Sequence, residues 1–322
     1  MQYRQLGKTD LNVSRICFGC WQLSPKFWGD ISIDEWRGAV LKAPDAGVNF
    51  IDTADAYGDG QAETELGKLL AAEKMRDKFV LATKFYWNFT QEDRFPDTRH
   101  DYIIQACEDS LRRLQTDVID LYQIHAWDAL TRPDEVAAAL LRLKKEGKVR
   151  WFGVSNLNVE QMRLYQRHFP VDCLQPPYSL LARGIEEREL PHCLDQRIGV
   201  IAYSPLFRGL LTGKYQPDHQ FGDSRAKAPY FTGKPFARLL EGIGELAPFA
   251  EKHGLTIPQL AIRWVLTHPA LTSAIVGIKN ADHVATITKA AEAVLPVEDW
   301  HRAAAVIARA KADADQLLAG EG

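Results

Sequence analysis

The sequence predicts an α/β protein: a closed (β/α)8 TIM barrel with an N-terminal β-hairpin and an extra C-terminal helix. Three observations predict it. Eight short apolar, β-branched runs recur along the chain, each followed by an amphipathic stretch. Most runs are continuous rather than alternating, as strands covered on both faces are. The first run, Ile16–Gly19, leads into Cys20-Trp21 and not into the G-x-G-x-x-G turn that an open doubly wound sheet would carry.

The elements follow in order. Residues 2–15 read as the hairpin, with turn signals at Gly7-Lys8-Thr9-Asp10. The barrel runs are Ile16–Gly19, Val48–Asp52, Phe79–Lys84, Val118–His125, Val149–Ser155, Val171–Gln175, Gly199–Ser204 and Ser273–Gly277. Ser32-x-x-Glu35, Asn158-x-x-Gln161 and Thr256-x-x-Gln259 have capping-box form, and Pro133 suits a first helical turn. Pro205–Pro235 is long, glycine-rich and aromatic, and a loop of that length is usually functional. The alanine-rich stretch 297–318 reads as the added helix. At ~150 residues per domain the 322 residues would suggest two, but one barrel takes about 250, so residues 1–322 are read as a single barrel domain.

Composition narrows the function. Lys+Arg is 39 and Asp+Glu 42, a formal net charge of −3, which gives no electrostatic reason to expect nucleic acid or an anionic membrane. No apolar run approaches the ~20 residues of a membrane span, and the first residues lack a signal-peptide pattern. The expected location is the cytoplasm, with the five cysteines reduced. No His/Cys/carboxylate group has metal-ligand spacing, so no metal site is expected. Oligomeric state is not legible.

A barrel carries its active site at the C-terminal ends of its strands. Here the strand candidates end at Asp52, Lys84, His125, Ser155-Asn156, Gln175 and Tyr203-Ser204. Barrel closure brings these distant residues to one mouth.

These residues carry a resemblance. Phe50-Ile-Asp-Thr-Ala-Asp-Ala-Tyr-Gly58 resembles the D-T-A-x-x-Y-G segment of the aldo-keto reductases. Lys84 in Leu81-Ala-Thr-Lys84, His125 in Tyr122-Gln-Ile-His125, and Gly153-Val-Ser-Asn156 are similar to that family's other signatures. Ala202-Tyr-Ser-Pro-Leu206 and Ala274-Ile-Val-Gly277 fit as well, in family order over nearly the whole chain. The resemblance, to the bacterial-type NADP(H)-dependent oxidoreductases, implies reversible reduction of an aldehyde or ketone to the alcohol. It places Asp52, Tyr57, Lys84 and His125 at the catalytic positions and a small-molecule carbonyl or alcohol as the substrate.

The chemistry agrees. Hydride transfer to a carbonyl leaves alkoxide character on oxygen, which needs a proton or a partner for its charge. Tyr57 is the expected donor, and its phenol, near ~10 when unperturbed, should be lowered by a neighbouring Lys84 ammonium. Asp52 balances the lysine, and His125 orients the carbonyl oxygen. Ser155, Asn156 and Gln175 suit the donor and acceptor of a carboxamide, and the resemblance assigns them to the nicotinamide. Tyr203 offers a stacking face. Ser204, Pro205, Leu206, Gly209 and Lys214 form a glycine-containing loop whose backbone N–H groups suit a pyrophosphate, though without Walker spacing.

The adenosine end departs from the family. Gly277 closes the last strand and Lys279 follows it, but His283 stands where an arginine is expected and Thr286-Ile287 where Glu-Asn is expected. NADP(H) remains the expected cofactor, with NAD(H) left open. Trp21, Trp28, Tyr86, Trp87 and Trp127 are candidates for the substrate pocket wall, and sugars, hydroxy-aldehydes and aryl aldehydes all suit such a rim. Two alternatives stay open: a Schiff-base enzyme using Lys84, and a cofactor-binding regulatory subunit with slow turnover.

Overall fold

The computed structural model describes residues 1–29, 31–89 and 93–320. The hairpin comprises β1 (Tyr3–Gln5) and β2 (Asn12–Ser14), paired antiparallel. Then come β3 (Ile16–Gly19), β4 (Phe50–Asp52), β5 (Val80–Phe85), the short antiparallel pair β6 (Trp87–Asn88) and β7 (Phe95–Pro96), β8 (Ile119–Ile124), β9 (Val149–Ser155), β10 (Cys173–Gln175), β11 (Gly199–Tyr203) and β12 (Leu271–Gly277). Eight of these close a parallel barrel in the order β3-β4-β5-β8-β9-β10-β11-β12. All eight expected runs are present, and Ile16–Gly19 and Val149–Ser155 have the expected bounds.

The helices are α1 (Pro25–Trp28), α2 (Ile33–Lys42), α3 (Gln61–Ala72), α4 (His100–Leu114), α5 (Pro133–Lys145), α6 (Val159–Gln166), α7 (Glu189–Gln196), α8 (Gly233–Gly244), α9 (Ala247–Lys252), α10 (Ile257–Thr267), α11 (Ala281–Glu292) and α12 (Val297–Gly320). The Asn158/Gln161 box forms at α6, each side chain taking the other residue's backbone N–H at 2.9 Å. Ser32 caps α2 by accepting from the Glu35 N–H at 3.2 Å. Among the described residues no helix is long and apolar enough to cross a membrane.

Strand alternation sorts the side chains into two cores. One face of each strand packs outward against the helices, with Trp36, Tyr122, Phe152 and Trp264 among the buried residues. The other face points into the barrel, where Cys17, Phe50, Ala82, Leu121, Cys173, Ile201 and Ile275 fill the interior. Leu6, Leu11 and Val13 of the hairpin join this interior cluster and plug one end of the barrel. The plug is close-fitting: a Cβ on Gly199 would stand 2.4 Å from Leu6 Cδ1, and one on Gly7, at φ +57°, would stand 2.5 Å from the Gly199 nitrogen.

Period two then dictates what stands at the opposite end. Two residues beyond Phe50 is Asp52, beyond Ala82 Lys84, beyond Leu121 Gln123 and then His125, beyond Cys173 Gln175, and beyond Ile201 Tyr203. The polar residues crown the apolar interior.

Candidate active site

At this end lies a cavity of about 610 Å³. Asp52, Tyr57, His125, Ser155, Asn156, Gln175 and Tyr203 line its base, with Lys84 directly behind Tyr57. Lys84 is fully buried. Its ammonium donates to Asp52 Oδ1 at 2.6 Å, to the Thr53 carbonyl at 2.8 Å and to the Tyr57 hydroxyl oxygen at 3.2 Å. Burial works against its charge, but Asp52 and Tyr57 outweigh that and hold the lysine above its ordinary value.

Tyr57 departs from expectation. Burial pushes its phenol up to about 12, and the opposing pull of Lys84 does not offset the loss of water. The lowered phenol expected from the lysine is therefore not what the protein presents; the phenol keeps its proton across the neutral range. His125 meets Tyr57 edge-on, with ring centres 5.9 Å apart. Burial, and then the Lys84 ammonium, push the imidazole down to about 3, so it is neutral. Among the described residues its buried Nδ1 has no hydrogen-bond partner.

A chain of hydrogen bonds joins the neighbouring strands. Asn156, at φ +62°, donates to the His125 carbonyl and to Ser155 Oγ, both at 3.0 Å, and accepts from the Tyr203 hydroxyl at 2.8 Å. Ser155 donates to the Gln175 carbonyl at 2.8 Å. Gln175 Nε2 donates to Asp52 Oδ2 at 2.8 Å.

The segment after β11 holds unusual backbone. Ser204, Phe207 and Arg208 have positive φ, followed by Gly209 and Gly213. Three non-glycine residues in this region within five positions is strain that the surroundings must enforce. The segment is tied across the cavity mouth. Arg208 donates to Ser224 Oγ at 2.6 Å, Ser224 donates to the Phe27 carbonyl at 3.0 Å, and Arg225 bonds Asp223, Tyr215 and the Arg208 carbonyl while lying 5.4 Å from the Trp28 ring centre. Lys214, Lys279 and His283 converge on the same end of the cavity. Burial first, and then Lys214 beside each of them, lowers both Lys279 and His283. Asn280 caps α11 by accepting from the His283 N–H at 3.0 Å.

The outer wall is aromatic. Trp21, Phe27, Trp28 and Trp87 line it, with Trp21 and Trp28 packed edge to face at 5.1 Å. Tyr86 and Trp127 stand apart from the residues that line this cavity. Tyr86 is turned into the protein, where its hydroxyl donates to the Trp127 carbonyl at 3.1 Å, and the Trp127 ring packs edge-on against Tyr165. Adjacency to Lys84 and His125 in sequence does not set the direction of a side chain past the strand end. Arg94, which sequence reasoning did not single out, lines the mouth and pairs with Asp59. Pro258, Thr286 and Ile287 line the far end.

The comparisons with known proteins bear on this arrangement. A profile of the Aldo/keto reductase family matches residues 15–308. The chain belongs to that family. Among its relatives in the aldo/keto reductase family is Aldo-keto reductase YhdN of Bacillus subtilis (strain 168), 35% identical over 93% of this chain and 91% of the relative. The NADH-specific methylglyoxal reductase of Escherichia coli (strain K12) is 32% identical over 87% of this chain and 90% of its own length. In structure the chain is similar to the glycerol dehydrogenase AKR11B4 from Gluconobacter oxydans, with TM-score 0.88, 35% identity and 95% of each chain covered. The barrel is that of an aldo/keto reductase and the protein is an oxidoreductase of that family.

Proposed function

We propose that this protein reduces an aldehyde or ketone to the alcohol with a nicotinamide cofactor, residues 1–322 acting as one barrel unit, with NADP(H) preferred. The carrying observation is the Asp52–Lys84–Tyr57 contact chain opening on a cavity beside a neutral His125. The residues fit such a cofactor. The volume is in the range of ligand sites, and the buried atoms His125 Nδ1, Gln22 Oε1, Trp28 Nε1 and Arg208 Nε, all on cavity residues, lack partners. Ser155, Asn156 and Gln175 would hold the carboxamide and Tyr203 the ring face. Ser204–Gly209 with Lys214 would hold the pyrophosphate, and Lys279 with His283 at the α11 N-terminus would hold a 2′-phosphate.

A bound nicotinamide supplies the hydride. The protein's part is the oxygen. Lys84 donates to the phenol oxygen of Tyr57, which leaves the phenol's own hydrogen free to face the cavity and pass to the substrate oxygen. His125, neutral, orients that oxygen by a hydrogen bond. The aromatic wall of Trp21, Trp28 and Trp87 excludes water. A Schiff-base role for Lys84 is disfavoured, because a buried ammonium held by three acceptors is not a free amine nucleophile.

Loss of NADPH absorbance against a panel running from small hydroxy-aldehydes and methylglyoxal to sugars and aryl aldehydes tests the proposal. Turnover by the native chain, abolished in Tyr57→Phe, supports it. Tight cofactor binding with no turnover of any carbonyl would instead point to a regulatory subunit.

A further inference from the structure

We propose that Gln123 is a positioning residue. It fixes the amide of Gln175 so that the carbonyl oxygen, and not the NH2, faces the cavity, and it joins that amide to the Asp52–Lys84 pair. The inference rests on the reading above that the cavity takes a nicotinamide.

Gln123 is fully buried on the inward face of β8, two residues before His125. Its Nε2 donates to Asp52 Oδ2 at 3.2 Å, and its Oε1 accepts from Gln175 Nε2 at 3.2 Å. Gln175 Nε2 also donates to Asp52 Oδ2 at 2.8 Å. A primary amide has two N–H donors, and here both are spent, on a carboxylate oxygen and on the Gln123 carbonyl. The reversed orientation would set the Gln175 carbonyl oxygen against two acceptors, one of them charged. The Gln175 amide therefore has one allowed orientation, and the atom it turns to the cavity accepts hydrogen bonds. A carboxamide NH2 is the complementary ligand group.

The barrel makes room for this device at Gly153 on β9. A Cβ there would stand 2.7 Å from Gln123 Cγ and 3.2 Å from its Oε1. The result is one continuous polar chain across four strands: Gln175, Gln123, Asp52, Lys84, and from Lys84 to Tyr57. The side of the cavity proposed to grip the cofactor and the side proposed to move the proton thereby share a buried connection.

The test is a double-mutant cycle on NADPH dissociation constants, read by fluorescence titration, with thermal unfolding to confirm folded protein. Gln123→Met keeps the volume and removes the amide. It should weaken NADPH binding about tenfold, as leaving one buried donor unpartnered does. In a Gln175→Leu background the same change should have no further effect. Gln123→Glu, measured near pH 6, should bind within about threefold of the native chain, because a carboxyl beside Asp52 keeps its proton and so retains both donor and acceptor. Gly153→Ala, which displaces Gln123 without deleting its amide, is the second variant should Gln123→Met not fold, and it should follow the same dependence on Gln175. Equal losses in both Gln175 backgrounds, native-like binding by Gln123→Met, or no rescue by Gln123→Glu would overturn the inference. A native chain that binds no nicotinamide cofactor would instead overturn the functional proposal beneath it.

Discussion

The Lys84 ammonium donates to the Tyr57 hydroxyl oxygen at 3.2 Å and stands 4.9 Å from the centre of its ring. The lysine thus addresses the phenol as a donor, and the phenol's hydrogen must point elsewhere. Tyr57→Phe deletes that hydrogen and little else. Carbonyl reduction should fall by a factor on the order of 10²–10⁴ while NADPH affinity stays within about twofold. Steady-state rates and a binding titration check this together; a variant keeping half the native kcat would remove Tyr57 as the acid.

Lys84 also neutralises a buried carboxylate. Lys84→Met leaves Asp52 charged and unpaired beneath the cavity and should cost about 3–5 kcal/mol of stability along with most of the activity. Asp52→Asn in the same chain removes the stranded charge. The double variant should regain most of the stability and none of the activity. Urea unfolding of the single and double variants decides it; equal instability in both would mean that lost packing, not the carboxylate, is responsible.

His125 links folding to pH. Its folded value of about 3 lies below the ordinary 6.5, so as pH falls the unfolded chain takes up the proton first. Its contribution to stability is complete above about pH 6.5 and drains away as pH falls towards 3. His125→Gln should therefore show a shallower loss of stability than the native chain between about pH 7.5 and pH 5. Parallel losses would show that the imidazole charges as readily folded as unfolded.

In the proposed site, cofactor choice would turn on Lys279 and His283, Lys214 serving the pyrophosphate that both cofactors share. A lysine contact to a charged group contributes about 1–3 kcal/mol, so NADPH should be favoured over NADH by about 10- to 100-fold. Lys279→Ala should remove most of that preference and leave NADH kinetics near native. Because burial, Lys214 and Lys279 hold His283 below its ordinary value, any added preference from an imidazolium should emerge only in acid, on the low side of the ordinary 6.5. The ratio of kcat/KM for the two cofactors at about pH 5.5 and pH 7.5 reads both effects. A native chain that prefers NADH at both would show that these groups do not serve a 2′-phosphate.

The barrel was legible because its signal is cumulative. Eight continuous apolar runs, ending in polar residues, leave few architectures, and period two carries Asp52, Lys84 and His125 to one rim. The same period could have exposed Gln123, which sits two residues before His125 on the inward face; it was missed because a glutamine inside an apolar run carries no motif of its own. Tyr86 and Trp127 lie past the strand ends, where alternation stops and tertiary packing chooses the direction, so no sequence period sets where they point. The Tyr57 phenol was misjudged for a different reason. A charge neighbour is visible in a motif, whereas the depth of burial that opposes it emerges only once the chain has folded around it.

The hairpin plug sets an order of events in biosynthesis. Leu6, Leu11 and Val13 precede every barrel strand, yet part of the surface that receives them lies far down the chain: Leu6 fits over Gly199, and the Arg4 side chain reaches the Leu271 carbonyl, 267 positions away. Until β11 and β12 emerge, the ring that the plug fills stays open. Seating it and closing the ring become one late, long-range event, the kind that slows folding and leaves a nascent chain open to association. A ribosome-bound fragment ending before residue 199 should accordingly bind chaperones more than the finished barrel does.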